Sequence, residues 1–363
     1  MVSRGSHILS VLQCALFTMV CMTLAHPVTL RDVADKAGVH PSTASRALNA
    51  RSRNLVNDQT VVRVLEAARV LGYRPNALAR GLKTNQTFTV GMLLPDLTNP
   101  LFPPIVRGVE DTLGAADYTV ILGNTDNDKE KEGALLDTML NRRVDALIVA
   151  SARRSASRLA ELGEDGLPVV LVNRSSDNAR LPSVSGDDHA GIGLAVRHLA
   201  SLGHRRIAHV GGPQDLSTGL ARYQSFVSWM QSEGLEADPR LIVFSERFHQ
   251  TPGAAATNEL FERGAEFTAI VAANDLLAIG CYDVLAERGV RVPDDVSVVG
   301  YNDMPFSDKL NPPLTTIHIP HYMIGVRAAE LALELIAERD VAGQSLRLTP
   351  TLVERASTSR NSA

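Results

Sequence analysis

Apolar and polar positions alternate with two different rhythms along this chain, and the change falls near Phe88. From Thr29, Leu30, Val33, Ala34 and Ala37 recur at helical spacing. Thr29-Leu30-Arg31-Asp32 reads as a capping box, and Gly38 stops the helix. A second helix is predicted from His40 or Pro41 through Leu48, because proline suits the first turn. Two short helices about a tight glycine turn make a helix-turn-helix. Asn57 is placed to cap a third helix, with Val61, Leu65 and Ala68 facing one way and Gly72 and Pro75 marking its end. Asn76 to Leu82 has the pattern for one or two further turns, too short to be stable alone in water.

Beyond Phe88, short apolar runs alternate with amphipathic stretches. The predicted strands are Thr89 to Leu94, Tyr118 to Leu122, Val144 to Ala150, Pro168 to Asn173, Arg206 to Val210, Leu241 to Phe244, Thr268 to Ala273 and Val296 to Tyr301. Helices are expected between them, among them Ile105 to Ala116, Lys129 to Asn141, Ala190 to Leu202, Gly219 to Glu233 and Asp275 to Arg288. This alternation predicts parallel sheets covered on both faces. So many units exceed one comfortable sheet, so two lobes are expected, with ligands at the strands' carboxyl ends.

Composition adds little until it is divided. The 363 residues carry 36 Lys+Arg and 40 Asp+Glu, a net charge of −4, which excludes collagen-like and fully disordered chains and hints at no partner. Residues 27–85, however, hold ten basic and four acidic residues, a net of +6, while residues 86–363 net −11. A polyanion partner is therefore expected for the first module only.

Cys14 and Cys21 precede that module, which leaves Cys281 alone in the body, so no disulfide framework is expected and a reducing compartment fits. The run from Ile8 to Ala25 is apolar behind the single charge of Arg4 and, alone, reads as a secretory leader or short anchor. A basic helix-turn-helix behind it argues against export. Residues 1–26 are accordingly read as a mis-assigned start, with Met22 the real one.

The segment from Asp32 to Asn49 carries the most information. Its residues Asp32-Val33-Ala34, Ala37-Gly38-Val39, Thr43 and Ser45-Arg46 follow the pattern D-V-A-x-x-A-G-V-x-x-x-T-x-S-R, and the chain is identified by it as resembling the LacI/GalR (lactose-repressor-like) transcription regulators. Small residues let the two helices cross closely, and the start of the second helix projects outward. Pro41, Ser42 and Arg46 then face base edges in the major groove, and Thr43, Ser45 and Asn49 reach phosphates, with Thr29 beside them. Arg46 suits a bidentate contact with guanine. The stretch Gly72 to Lys83 is similar to the family's Y-x-P-N-x-x-A-R-x-L hinge. By that likeness Asn76, Ala79, Leu82 and Lys83 belong to the DNA interface, Leu82 as a minor-groove wedge. Three departures stand out: Gly81 in place of a serine, a long loop from Ala50 to Leu55, and His40 in place of the usual capping serine.

The resemblance runs on through residues 86–356, in VGMLLPDLTNPLF (Val90–Phe102), GHRRIA (Gly203–Ala208), Ala273-Asn274-Asp275, VPDDVSVVGYND (Val292–Asp303) and Pro313-Leu314-Thr315-Thr316. It implies an α/β fold: an N-terminal all-α helix-turn-helix head and a two-lobed body with parallel sheets, like a periplasmic binding protein. The expected domains are a leader at 1–26, the head at 27–75, the hinge at 76–85, the effector and dimerisation body at 86–357, and a tail at 358–363. Within the body the first lobe is placed at about 86–186 and 317–342, the second at about 187–316 and 343–357. By position, effector contacts fall on Asn99, Phe102, Asn173, Arg222, Phe248, Asn274 and Asn302; amides and a guanidinium would bond hydroxyls or a carboxylate while an aromatic face covers a ring. Asn173 and Asn302 stand where sugar-responsive members carry aspartate, which tilts the expectation towards an anionic effector.

The function implied is a homodimeric cytoplasmic regulator, of the repressor kind, on a pseudo-palindromic double-stranded operator. It would be switched by a sugar, sugar acid or related metabolite, with no membrane partner. An exported solute-binding protein is the rival reading. No H-E-x-x-H, G-x-S-x-G, Walker loop or paired-cysteine site occurs, so neither an enzyme nor a metal or cofactor is expected. Gly191-Ile192-Gly193 lacks the third glycine of a dinucleotide fingerprint and is read as opening a helix.

Overall fold

The computed structural model describes residues 28–49, 52–73, 86–177, 180–339, 341 and 343–361. The chain divides into two compact units, Met1–Asn85 and Gln86–Ala363. Residues 1–26 and the proposed hinge positions Asn76, Ala79, Leu82 and Lys83 lie outside the described residues.

The head is built on α1 (Leu30–Ala37), α2 (Pro41–Leu48) and α3 (Asp58–Leu71). Thr29 and Asp32 form the predicted capping box, and Gly38 ends α1 with φ 66°, a left-handed conformation open to glycine at little cost. Asn57 caps α3, and Gly72 closes it in the same left-handed way. The core beneath is thin: Val33, Ala34, Ala37, Ala44, Ala47, Val61, Val64, Ala67 and Ala68 are its buried members.

The body contains two six-stranded sheets. The first lies in the order β11-β5-β4-β3-β1-β2, all parallel, with β1 (Thr89–Leu94), β2 (Thr119–Asn124), β3 (Ala146–Val149), β4 (Val169–Val172), β5 (Ser183–Gly186) and β11 (Ser345–Leu348). The second runs β12-β10-β9-β8-β6-β7, with β6 (Ile207–Gly211), β7 (Ile242–Phe244), β8 (Ala269–Ala272), β9 (Ser297–Asn302), β10 (Thr315–His318) and β12 (Thr351–Val353). Only β12 is antiparallel. The Val/Ile/Leu-rich strands are those the hydrophobic pattern predicts. The four it leaves out are short or polar: Ser-Val-Ser-Gly in β5 and Ser-Leu-Arg-Leu in β11 carry no continuous apolar run.

Helices α4 (Phe102–Ala115), α5 (Lys129–Asn141), α6 (Ser157–Glu164) and α11 (His321–Ile336) cover the first sheet; α7 (Asp188–Ser201), α8 (Ser217–Ser232), α9 (Gln250–Glu262) and α10 (Asp275–Glu287) cover the second. α4 and α11 cross so closely that a Cβ on Gly108 would strike the backbone at Tyr322, and one on Gly325 the carbonyl of Ile105. Gly191 and Gly193 sit in α7 against Tyr301 and Trp229, so their role is close packing.

The chain passes between lobes three times: from β5 into α7, from β10 into α11, and from β11 into β12. These crossings correct two expected boundaries. Ile317 and His318 pair with Tyr301 and Asn302 in the second sheet, and Ser345–Leu348 pairs with β5 in the first. The last two segments therefore change lobe after His318 and after Leu348. Backbone pairing fixes these points, and no shift in composition marks them.

Candidate functional site

In the head, local sequence sets up an exposed helix start. Pro41 opens α2, and His40 precedes it with extended backbone. The His40 ring takes the place of a capping hydroxyl: its Nδ1 accepts from the Ser42 N–H at 3.2 Å and lies 2.8 Å from the Ser42 hydroxyl. The departure from serine is thus repaired by a ring nitrogen. Ser42, Ser45 and Arg46 are exposed; Pro41, Thr43 and Asn49 are half-buried. Among the described residues the Arg46 guanidinium makes no hydrogen bond or ion pair, whereas Arg69 is held by Glu66 at 2.6 Å and Arg53 by the Ala47 carbonyl at 3.0 Å. Arg46 therefore keeps its donor fork available. Thr29, by contrast, spends its hydroxyl on Asp32, donating at 2.7 Å.

In the body, a cavity of about 600 Å³ opens between the lobes at the carboxyl ends of the strands. All seven residues predicted for an effector line it: Asn99, Phe102, Asn173, Arg222, Phe248, Asn274 and Asn302. Asn274 also caps α10, accepting from the Leu277 N–H at 2.9 Å, and Asn99 accepts from Leu101 N–H at 3.1 Å. Asn173 and Asn302 adopt positive φ of 63° and 108° at the ends of β4 and β9, a strained conformation of the kind that collects at ligand sites. The Asn302 Oδ1 is buried without a partner.

Arg222 is the best-anchored group. Its Nε donates to Asp188 at 2.8 Å, its Nη1 to the Ala273 carbonyl at 2.7 Å, and its guanidinium lies 4.0 Å from the centre of the Tyr301 ring. Burial pushes its pKa down, but Asp188, Tyr301 and Asp275 together more than offset this and the net shift is upward.

The sequence reading overlooked several lining groups, chiefly Arg174, Arg153, Asn127, Asp215 and Thr218. Arg174 is only 6% exposed and donates to the Ser151 carbonyl and to Asn127 Oδ1, both at 3.2 Å. Burial, then the neighbouring Arg153 charge, lowers its pKa to about 10, which leaves it charged at neutral pH. Its signal was its place, directly after Asn173 at a strand end. Arg153 pairs with Asp215, and the Ser175 N–H donates to Ser217 Oγ at 2.9 Å; both contacts join the two lobes. Among the described residues no cluster of His, Cys, Asp and Glu could hold a metal, and no helix is long and apolar enough to cross a membrane.

A helix-turn-helix with an unengaged arginine on its second helix, in one chain with a two-lobed body enclosing a polar cavity, defines a ligand-responsive DNA-binding regulator. Comparison with known proteins agrees. Residues 29–76 match the model of bacterial regulatory proteins of the lacI family, and residues 87–356 that of periplasmic binding proteins and the sugar binding domain of the LacI family. The chain is 35% identical over 331 residues to the HTH-type transcriptional regulator RegA of Clostridium saccharobutylicum, covering 91% of this chain and 99% of that one. It is 33% identical over 330 residues to the ribose operon repressor of Escherichia coli K12, covering 91% and 99%. Among solved structures it resembles the lac repressor dimer bound to operator and the anti-inducer ONPF, with a TM-score of 0.80, 27% identity and coverage of 92% and 99%. The chain belongs to the LacI family of bacterial regulators: it is a DNA-binding transcriptional regulator with an effector-binding body of the periplasmic-binding kind.

Proposed function

We propose that this regulator is a repressor which binds a pseudo-palindromic operator as a homodimer and is switched by a sugar or sugar derivative held between its lobes. The observation that carries the reading is Arg46, exposed and unengaged on a capped helix start, where a guanidinium can take guanine O6 and N7 together. Pro41 and Ser42 approach base edges beside it, and Thr43, Ser45, Asn49 and Thr29 meet the phosphates. Asn76, Ala79, Leu82 and Lys83 contribute the hinge, Leu82 entering the minor groove. Such a dimer finds support in the similarity to a repressor solved as a dimer on its operator. A DNA target puts this work in the cytoplasm, and the protein acts by binding alone.

Control follows from linkage. A ligand spanning Asn99 and Asn173 on one lobe and Arg222 and Asn274 on the other favours the closed body, and it shifts DNA affinity only as far as its own affinities for the two states differ. Selection of duplexes from a random library by the full-length protein tests the reading. A two-fold symmetric consensus is expected, and Arg46→Ala should lose about 1–3 kcal/mol per half-site together with preference at one base pair. Retained preference in the variant would remove Arg46 from base readout.

A further inference from the structure

The charges around the cavity are sorted by depth. Its lining carboxylates stand towards the rim: Asp126, Asp215 and Glu246 are exposed, Asp126 pairs with Lys131, Asp215 with Arg153, and half-buried Asp96 accepts from Thr98. The buried polar side chains in the lining are Arg174, Thr218, Arg222, Asn274 and Asn302, two cations and no anion. Asp188 neutralises Arg222. Arg174 has no such ion-pair partner: among the described residues no carboxylate lies within 4 Å of its guanidinium, Asp215 and Glu132 act on it only from further away, and its two acceptors are neutral.

A buried guanidinium with no carboxylate in direct contact is costly unless a partner arrives. Water in an empty cleft supplies that partner poorly, and a carboxylate supplies it well, through charge-assisted bonds about twice as strong as neutral ones. The remaining chemistry asks for hydroxyls. Asn302 Oδ1 lacks a donor, the Asn173 and Asn274 amides stand at strand ends, and Phe248 offers an apolar face.

We propose that the ligand of this cavity is an anionic polyol, a sugar acid, whose carboxylate is held by Arg174 while Asn173 and Asn302 bond its hydroxyls. The inference rests on the effector-binding reading above and names the class of effector. It also gives the two asparagines a common sense: a carboxylate at either place would neutralise Arg174 or repel the ligand's own charge.

Calorimetric titration of the full-length protein tests it, with hexonates and hexuronates as probes, the neutral sugars of matching stereochemistry beside them, and hexose 6-phosphates as a third arm. An acid should bind at least about tenfold more tightly than its neutral counterpart. Arg174→Gln should erase that difference, and Asn302→Asp, which adds a negative charge to the floor, should reverse it. Equal or tighter binding of neutral sugars, binding of the phosphate esters alone, no binding of any acid, or an unchanged acid preference in Arg174→Gln would each overturn the proposal. Its failure is separable from failure of the regulator reading, because duplex selection by the wild-type protein needs no effector.

Discussion

The head and the body carry their functional charges in opposite ways. In the head, charges stand in solvent over a core of three valines and six alanines, and Arg46 works by being free. The body buries its decisive charges beneath two sheets, where Arg222 works by being tied to Asp188, Ala273 and Tyr301. A surface that reads a polyanion needs loose, long-range charge. A cavity that selects one small molecule needs charges whose alternatives to the ligand have been removed. The head therefore depends on helix caps for its shape, and the body on the pairing of its interior.

Arg222→Ala cuts most deeply into that contrast. It leaves Asp188 inside without a partner, so the body should lose about 3–5 kcal/mol in denaturant unfolding, and the response of DNA binding to effector should vanish. A body as stable as the wild type would show that Asp188 and Arg222 do not depend on one another.

Asp275 sharpens the comparison next. It accepts from Thr316 Oγ1 at 2.6 Å and from Met304 N–H at 2.7 Å, yet burial raises its pKa from 3.8 to about 7. The folded protein thus holds a proton there that the unfolded chain gives up near pH 4, so this site's contribution is full at low pH and is lost as pH rises towards 7. Asn accepts from the Met304 N–H through its Oδ1 and donates its Nδ2 to Thr316 Oγ1, whose hydroxyl turns round to accept, and it has no charge to bury. Asp275→Asn should therefore gain about 2–3 kcal/mol over the wild type at pH 8 and almost nothing at pH 4, read from thermal unfolding at the two values. Parallel pH dependence in the two proteins would show that the carboxyl is not buried as described.

In the head the corresponding change is smaller. His40→Ala removes the cap of α2 and should cost about 1 kcal/mol of head stability, with operator affinity falling alongside, while His40→Ser should restore both. Smallest of all, Asp215→Ala breaks a half-exposed pair with Arg153 across the cleft, and effector affinity should change by less than about fivefold in titration.

Much of this was legible in the chain. The helix-turn-helix, its capping box and its terminal glycines lie within a few neighbours of one another, and local rules suffice for them. The eight apolar strands announce themselves because strands buried on both faces have no polar positions to spare. Ser183–Gly186 and Ser345–Leu348 do not, since their place comes from pairing with each other across 162 residues. The seven predicted lining residues converge on one cavity because the strand ends, and the loops and helices that follow them, converge there. Arg174 escaped for a different reason: its significance is the lack of a nearby carboxylate, and such a lack exists only in three dimensions.

The three passages of the chain between the lobes have a mechanical consequence. Bodies joined by one tether can swing, twist and slide, whereas three short tethers side by side resist sliding and leave chiefly a tilt. Whatever small molecule settles into the cleft can then push the first lobe along little more than one path. The motion delivered to Gln86, where the body begins, is in effect one-dimensional, and ligands of different shape would be told apart by how far they drive it.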